Sequence, residues 1–268
     1  MIAAHQRSGR ARIWRHELRY LLERPITAGL LAGYALIASY ISIADSFREA
    51  YFIAFDAVML ELVNFILPVF LFINLVLVLA PMFAGEIENH LEEIPATCLY
   101  GRRTRCITKL CATLSFIILL NLAYHLMTCV IGLATQPLEM WTQVVKSVDG
   151  AGLFSFSWNV SAHYLFAILS LLLGSIFTVV FTLLLSCNSQ ATMSVCVGMS
   201  LIGMLEYMFH RFGFVDVLRQ YNLWQFLTPY RLASDAPFYS PAANTALVGG
   251  VFALLSLIAL GDILKKGG

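Results

Sequence analysis

The sequence predicts an all-α polytopic membrane protein with six transmembrane helices. Hydrophobic residues make up 59% of the 268 residues and charged residues only 12%, with a mean hydropathy of +0.78. Soluble domains carry about twice that share of charged residues. The hydrophobic residues form continuous runs rather than the alternating pattern of a membrane β-barrel. These observations argue against a large soluble domain and predict a single transmembrane domain over residues 1–268.

Six apolar runs are each long enough to cross a bilayer. A hydrocarbon core about 30 Å thick needs roughly 20 mostly apolar residues in one helix. The predicted spans are residues 27–45, 60–83, 107–134, 160–186, 190–209 and 243–263. Pro68 lies inside the second span and predicts a kink there. Only the sequence SCNSQ joins the fourth span to the fifth, which predicts a tight turn.

A basic helix is predicted before the first span, over residues 11–24. Its apolar residues recur at helical spacing and its arginines fall on the opposite face. Such a helix lies flat among the lipid headgroups, and Pro25 ends it and turns the chain into the first span. A solvated basic tail is the alternative, and the apolar stripe argues against it. The predicted interface residues of this helix are Arg12, Trp14, Arg15 and Arg19.

The charged loop of residues 84–105 is the most informative interruption of the apolar pattern. Its first half is acidic with a small apolar face, and it predicts a short helix that ends at Pro95. Its second half is basic, so we expect Arg102 to lie at the headgroups and Lys109 to extend toward them as the third span begins. The acidic half is singled out at Glu86, Glu88, Leu91, Glu92, Ile94 and Pro95.

The distribution of positive charge predicts the orientation in the membrane. Arginines before the first span, the basic half of the charged loop and two lysines after the last span hold most of the 17 Lys and Arg. With six spans, these three regions lie on one side. Basic loops remain in the cytoplasm, so both termini are predicted to be cytoplasmic.

Residues 207–242 predict one or two short helices that dip into the outer leaflet before the last span. The stretch has apolar residues near helical spacing, but it is too short and too charged to cross the bilayer. Irregular backbone at membrane depth is tolerated only where protein or a watery cavity covers it. An amphipathic helix on the outer surface is the alternative.

Polar residues inside the predicted spans are candidates for a substrate path, because polar groups in hydrocarbon are costly. The candidates are Asn64, Asn74, Asn121 and Glu206. The alternative for the asparagines is hydrogen bonding between helices, worth about 0.6–2 kcal/mol each.

No motif indicates an enzyme. The GxxxxGK[ST] loop that cradles nucleotide phosphates is absent, as are GxSxG and HExxH. His125, His163 and His210 are isolated, so haem ligation between helices is only an alternative to ordinary packing. The sequence predicts no catalytic, cofactor-binding or metal-binding residue in this chain.

The charged loop is similar to the loop between the second and third spans of bacterial type-two ATP-binding-cassette (ABC) exporter permeases. The pattern is Glu86-x-Glu88-x-x-Leu91, then Ile94-x-x-Thr97, then Gly101-Arg102 and Lys109. The basic N-terminal segment resembles the elbow helix of that family, with His16-Glu17-Leu18 and a proline before the first span. The six-span layout also resembles the family. The sequence departs from it at His90-Leu91, where many members have Gly-Thr.

The resemblance implies a permease subunit of the bacterial plasma membrane that pairs with a second copy or a sister permease. Separate nucleotide-binding subunits would bind ATP and Mg and hold the coupling helix near Glu86–Pro95. ATP-driven closure of those subunits would open an outward path, walled by the second and fifth spans. The substrate would be amphipathic, with a peptide antibiotic or drug-like molecule favoured. The open alternatives are an intramembrane enzyme or haem-bearing subunit, and a non-catalytic membrane scaffold.

Overall fold

A computed structural model describes residues 2–46, 62–89, 101–135, 160–212 and 241–267. Within these ranges nearly every residue is helical and no strand occurs, which confirms the all-α prediction for this part of the chain. The α-helices are α1 Ile2–Leu22, α2 Pro25–Ser46, α3 Leu67–Leu79, α4 Ala84–Glu88, α5 Gly101–Thr135, α6 Val160–Asn188, α7 Thr192–Phe212 and α8 Pro241–Gly267. A π-helical turn, Leu62–Ile66, precedes α3, and a 3-10 turn, Ala80–Met82, follows it.

Among the residues that the structure describes, three helices are long and apolar enough to cross a membrane. Their apolar stretches are Pro25–Ile43 in α2, Arg103–Thr135 in α5 and Tyr164–Asn188 in α6. Shorter apolar helices, Leu67–Met82 and Thr192–Leu205, lie where the second and fifth spans are predicted. A helical membrane protein follows from these lengths and compositions, and the full set of six spans stays a prediction.

The outward surface of these helices is apolar, as hydrocarbon contact requires. On α5 the exposed residues Leu122, Leu126 and Val130 follow one another at four-residue spacing. Side chains four apart lie on the same helix face, so they form a continuous apolar stripe. A stripe of this kind is unfavourable in water and neutral in lipid.

Helix α3 lies at the centre of the bundle, in contact with α2, α5, α6 and α7. It is apolar all round, and Leu67, Leu71, Leu75 and Leu79 are fully buried. A helix that is hydrophobic on every side is stable only when it is enclosed. On α7, Gly203 permits close approach to this helix, because a Cβ atom there would lie 2.8 Å from the Phe72 ring.

Two prolines lie where the sequence predicts a helix boundary or a kink. Pro25 is the first residue of α2, where its missing N–H costs nothing because first-turn N–H groups have no helical partner. Pro68 lies in the first turn of α3, directly after the π-helical turn. The irregularity predicted for the second span therefore takes the form of a change in helix type.

Helices α1 and α5 both begin earlier in the chain than the sequence predicts. Helix α1 begins at Ile2 rather than near residue 11, and it lies along α5. Its apolar residues Leu18 and Leu21 pack on the protein core. Helix α5 begins at Gly101 rather than near residue 107, so the basic half of the charged loop is helical.

Candidate functional site

The described start of the charged loop, residues 83–89, is held at the end of α3 by side chains from other helices. It contains Glu86 and Glu88, both singled out from the sequence. Small residues let it lie against α7, where Ala84 packs with Ala80 and Val195, all three fully buried. The remaining residues of the predicted coupling helix lie outside the described residues; they are Leu91, Glu92, Ile94 and Pro95.

Glu86 accepts two charged hydrogen bonds from the first turns of α5. Its Oε1 atom lies 2.6 Å from Arg105 Nη2 and 2.6 Å from Lys109 Nζ. The Lys109 side chain is 4% exposed, that of Glu86 23% and that of Arg105 32%. We call these three residues the Glu86 cluster. Two cations on one carboxylate fasten the loop to α5.

Lys109 points into the protein, contrary to the expectation that it extends toward the headgroups. Besides Glu86, its ammonium donates to the Met82 carbonyl at 2.7 Å and lies 4.8 Å from the centre of the Phe83 ring. An ammonium taken out of water needs compensation of this kind. The nearby carboxylate and carbonyl replace the water that the ammonium loses. The side chain therefore turns inward instead of extending to the headgroups.

Ser186, at the end of α6, holds the turn that leads into the loop. Its hydroxyl accepts hydrogen bonds from the backbone N–H groups of Phe83, at 3.1 Å, and Ala84, at 2.9 Å. It donates to the Ala80 carbonyl at 2.7 Å. First-turn N–H groups of a helix have no helical partner, and this hydroxyl satisfies two of them in a buried place.

Glu88 caps the N-terminus of α7 from a distant part of the chain. Its Oε2 atom accepts the backbone N–H of Thr192 at 3.1 Å. The first turn of α7 has no acidic residue of its own, so Glu88 supplies the negative charge that the helix dipole favours. The hydrogen bond from that N–H, with a second from the Thr192 hydroxyl, holds the pKa of the Glu88 carboxyl below its ordinary value of 4.5.

We expect Glu88→Gln to lower the thermal midpoint slightly at neutral pH and to have no effect in acid. A carboxyl group whose pKa is lowered by folding stabilises the folded state above its unfolded pKa, and this contribution is lost as the pH falls through the folded pKa. Midpoints of both proteins, measured from neutral pH to well below 4.5, check the expectation. A difference that stays constant over that range would contradict it.

A layer of polar side chains joins α2, α3 and α5 inside the apolar bundle. Asn74 Nδ2 donates to the Tyr124 hydroxyl at 3.2 Å, and the Tyr34 hydroxyl pairs with Thr128. The rings of Tyr34 and Tyr124 meet edge to face with centroids 5.1 Å apart. The Asn74 amide therefore serves helix–helix contact, while its buried Oδ1 atom has no hydrogen-bond partner. A part for Asn74 in a substrate path stays a prediction.

A second polar layer joins α5 to α6. Asn121 Nδ2 donates to the Ser175 hydroxyl at 3.0 Å and to the carbonyl of residue 117 at 3.0 Å. The Tyr164 hydroxyl donates to the His125 carbonyl at 3.0 Å, and its oxygen lies 3.1 Å from His125 Nδ1. These contacts match the packing alternative for Asn121 and His125. The buried Nε2 atom of His125 has no partner.

The other predicted site residues are spread over four elements. Arg12, Arg15 and Arg19 are exposed on α1 and Trp14 is half-buried. Asn64 lies in the π-helical turn, Arg102 in the first turn of α5 and Glu206 in α7. Of the substrate-path candidates, only Asn74 and Asn121 have side chains that the structure describes, and these lie in separate polar layers.

A cleft of about 300 Å³ opens beside the Glu86 cluster, between the end of α1 and the base of the charged loop. Its polar lining includes Tyr20, Arg24, Glu86, Asn89, Arg105 and Lys109. We call it the basic cleft. Charge at helix ends is visible in the sequence, but the convergence of α1, the loop and α5 on one cleft is a property of the fold.

Several contributors to this site have no signal in the sequence. Ser186, Thr192 and Tyr20 look like ordinary turn or interface residues.

No group of three or more His, Cys, Asp or Glu that could hold a metal occurs among the described residues. The described arrangement binds charge and fastens helices together.

Comparison with known proteins gives no identification. No protein-family model matches the sequence, and no curated protein sequence matches it.

Proposed function

We propose that this chain is the permease subunit of an ATP-driven ABC exporter. It crosses the bacterial plasma membrane six times with both termini in the cytoplasm, and a separate subunit hydrolyses the ATP, with Mg. Two permease copies, or this chain and a sister permease, enclose the path of an amphipathic substrate. The pattern of the charged loop supports the proposal, together with the way in which the base of that loop is fastened.

The fastening at residues 83–89 is the observation that carries the proposal. A coupling element transmits work only if motion of the loop moves the spans, so its base has to be joined firmly to them. Glu86 joins the loop to α5, Ser186 joins it to α6, and Glu88 joins it to α7. An ordinary connecting loop needs none of these contacts. Coupling also requires that a contact with the ATPase differ in free energy between the two states.

The first test is isolation of the tagged chain from its native host in mild detergent, with mass spectrometry of the proteins that accompany it. We expect a stoichiometric soluble subunit with a GxxxxGK[ST] nucleotide-binding loop. Recovery of the chain without such a subunit, at every detergent strength tested, would contradict the proposal.

The second step uses charge reversal in the coupling helix. Leu91→Asp with Glu92→Lys is expected to abolish most of the ATPase activity that the permease stimulates in its partner, while membrane insertion stays normal. The matched control is Leu138→Asp with Glu139→Lys, the same dipeptide between the third and fourth predicted spans, on the predicted outer side that a cytoplasmic subunit cannot reach. Equal activity in both double variants would refute the assignment of the coupling helix.

A further inference from the structure

The basic cleft lies beside the ends of two apolar helices. Arg24 immediately precedes the apolar stretch Pro25–Ile43, and Arg105 and Lys109 lie at the start of the stretch Arg103–Thr135. These are the ends of two helices apolar enough to cross the bilayer. Cations at the ends of membrane spans commonly lie near the phosphate layer, so we expect the cleft to open toward lipid headgroups whether or not the protein is a transporter.

Arg24 is held in the cleft and retains an unused donor. Its Nη2 atom donates to the Tyr20 hydroxyl at 2.6 Å, and its guanidinium carbon lies 4.6 Å from the centre of the Tyr20 ring. Its Nε atom is buried and has no hydrogen-bond partner. A buried donor without an acceptor is unfavourable, and an oxyanion that enters the cleft would remove that cost.

The charge balance of the cleft favours an anion. Its cations are Arg24, Arg105 and Lys109, and its carboxylates are Glu17 and Glu86, with His16 also in the lining. Glu86 is shared between Arg105 and Lys109. One positive charge remains in excess with His16 neutral, and guanidinium groups match the geometry of phosphate oxygens.

The shape and the remaining lining suit a phosphate that carries a hydrocarbon chain. The volume of about 300 Å³ is about ten times the share of one water in the liquid. Leu21, Val78 and Pro81 supply an apolar side to the same cleft. A free inorganic anion makes no favourable contact with these apolar side chains, whereas the ester and acyl groups of a phospholipid pack against them.

We infer that the basic cleft binds the phosphate group of an anionic phospholipid, with Arg24 as its principal ligand. Arg105 and Lys109 contribute positive charge while they remain bound to Glu86. The inference does not depend on the proposed transport function, because it uses only the cleft and its place at the helix ends.

The test measures lipid binding to the detergent-solubilised full chain by native mass spectrometry. The probes are dioleoyl phosphatidylglycerol and dioleoyl phosphatidylcholine, titrated separately. We expect the wild-type protein to bind one phosphatidylglycerol about tenfold more tightly than phosphatidylcholine, since only phosphatidylglycerol is anionic and the choline cation is repelled by the excess positive charge of the cleft. Equal affinity for the two lipids would overturn the inference.

Two variants, one just after α1 and one within it, separate the cleft from general surface charge. Arg24→Gln is expected to weaken phosphatidylglycerol binding about tenfold. Arg15→Gln removes the same charge from an exposed position outside the cleft and is expected to change the affinity by less than about twofold. Equal losses in both variants would overturn the inference. Arg24→Lys keeps the charge but removes the Nε donor, and its affinity for phosphatidylglycerol is expected to lie between those of Arg24→Gln and Arg15→Gln. It provides the test if Arg24→Gln does not fold.

Competition with glycerol phosphate distinguishes a site for a membrane phospholipid from a site for a free phosphate ester. If millimolar glycerol phosphate displaces the lipid, the phosphate ester alone is sufficient for binding. If it does not displace the lipid, the acyl chains contribute as the apolar side of the cleft predicts. Both results support a phosphate site in the cleft, provided that Arg24→Gln reduces binding and Arg15→Gln does not.

Discussion

Glu86→Gln is expected to lower the free energy of unfolding by about 3 kcal/mol. Removal of one partner from a buried ion pair costs about 3–5 kcal/mol, because the remaining charge is left buried without compensation. The lower end of this range applies because the Glu86 side chain is 23% exposed, so some water can reach the cluster. Lys109, only 4% exposed, keeps the Met82 carbonyl but loses its counter-charge.

The control for Glu86 is an ion pair of equal length at the surface. Arg19 Nε and Glu23 Oε1 are also 2.6 Å apart, but their side chains are 77% and 61% exposed. Glu23→Gln is therefore expected to cost less than about 1 kcal/mol. Reversible unfolding in mixed detergent micelles measures both variants. Equal losses would show that burial of Lys109 does not determine the strength of the Glu86 cluster.

A double variant tests whether the cost comes from the stranded ammonium. Addition of Lys109→Met to Glu86→Gln removes the buried charge, and a nonpolar side chain in its place is often neutral or stabilising. We expect the double variant to recover most of the stability lost by Glu86→Gln. Arg105, which is 32% exposed, can turn toward water and needs no second change.

Ser186→Ala is expected to lower the free energy of unfolding by about 3 kcal/mol, since it leaves three polar groups without a partner at about 1 kcal/mol each. The change removes the acceptor for two backbone N–H groups, those of Phe83 and Ala84, and the donor to the Ala80 carbonyl. Each buried polar group left without a partner costs about 1–3 kcal/mol. Under the proposed function, the same variant is also expected to weaken ATPase stimulation, since it loosens the base of the coupling loop.

The control for Ser186 is a serine that makes a local bond only. Ser115 donates to the carbonyl of Cys111 in its own helix at 3.0 Å. That carbonyl remains in the helix ladder when the hydroxyl is removed, so Ser115→Ala is expected to change stability by less than about 0.5 kcal/mol. The same unfolding assay compares the two alanine variants. A loss in Ser186→Ala no larger than in Ser115→Ala would mean that water replaces the hydroxyl.

Much of the helical layout could be predicted because it depends on local chemistry. Apolar runs with few charges define the helices at residues 25–46, 101–135 and 160–188 to within a few residues, except where α5 extends toward Gly101. Pro25 sets a boundary because its ring and missing N–H act on the adjacent turn alone. The sequence shows that Asn74 and Asn121 are polar side chains inside apolar spans, where burial is costly. It does not show that their hydrogen-bond partners are Tyr124 and Ser175.

The sequence by itself determined that this is a helical, membrane-type chain with a basic N-terminal segment and a charged loop whose first half is acidic. Composition and periodicity depend only on residues that are near one another in the sequence, so they can be evaluated without knowledge of the fold. Only the tertiary structure decided that Lys109 turns inward to Glu86 and that Glu88 caps a helix far along the chain. These contacts join segments distant in sequence. Their geometry depends on where the helix ends meet, which is fixed by packing around α3.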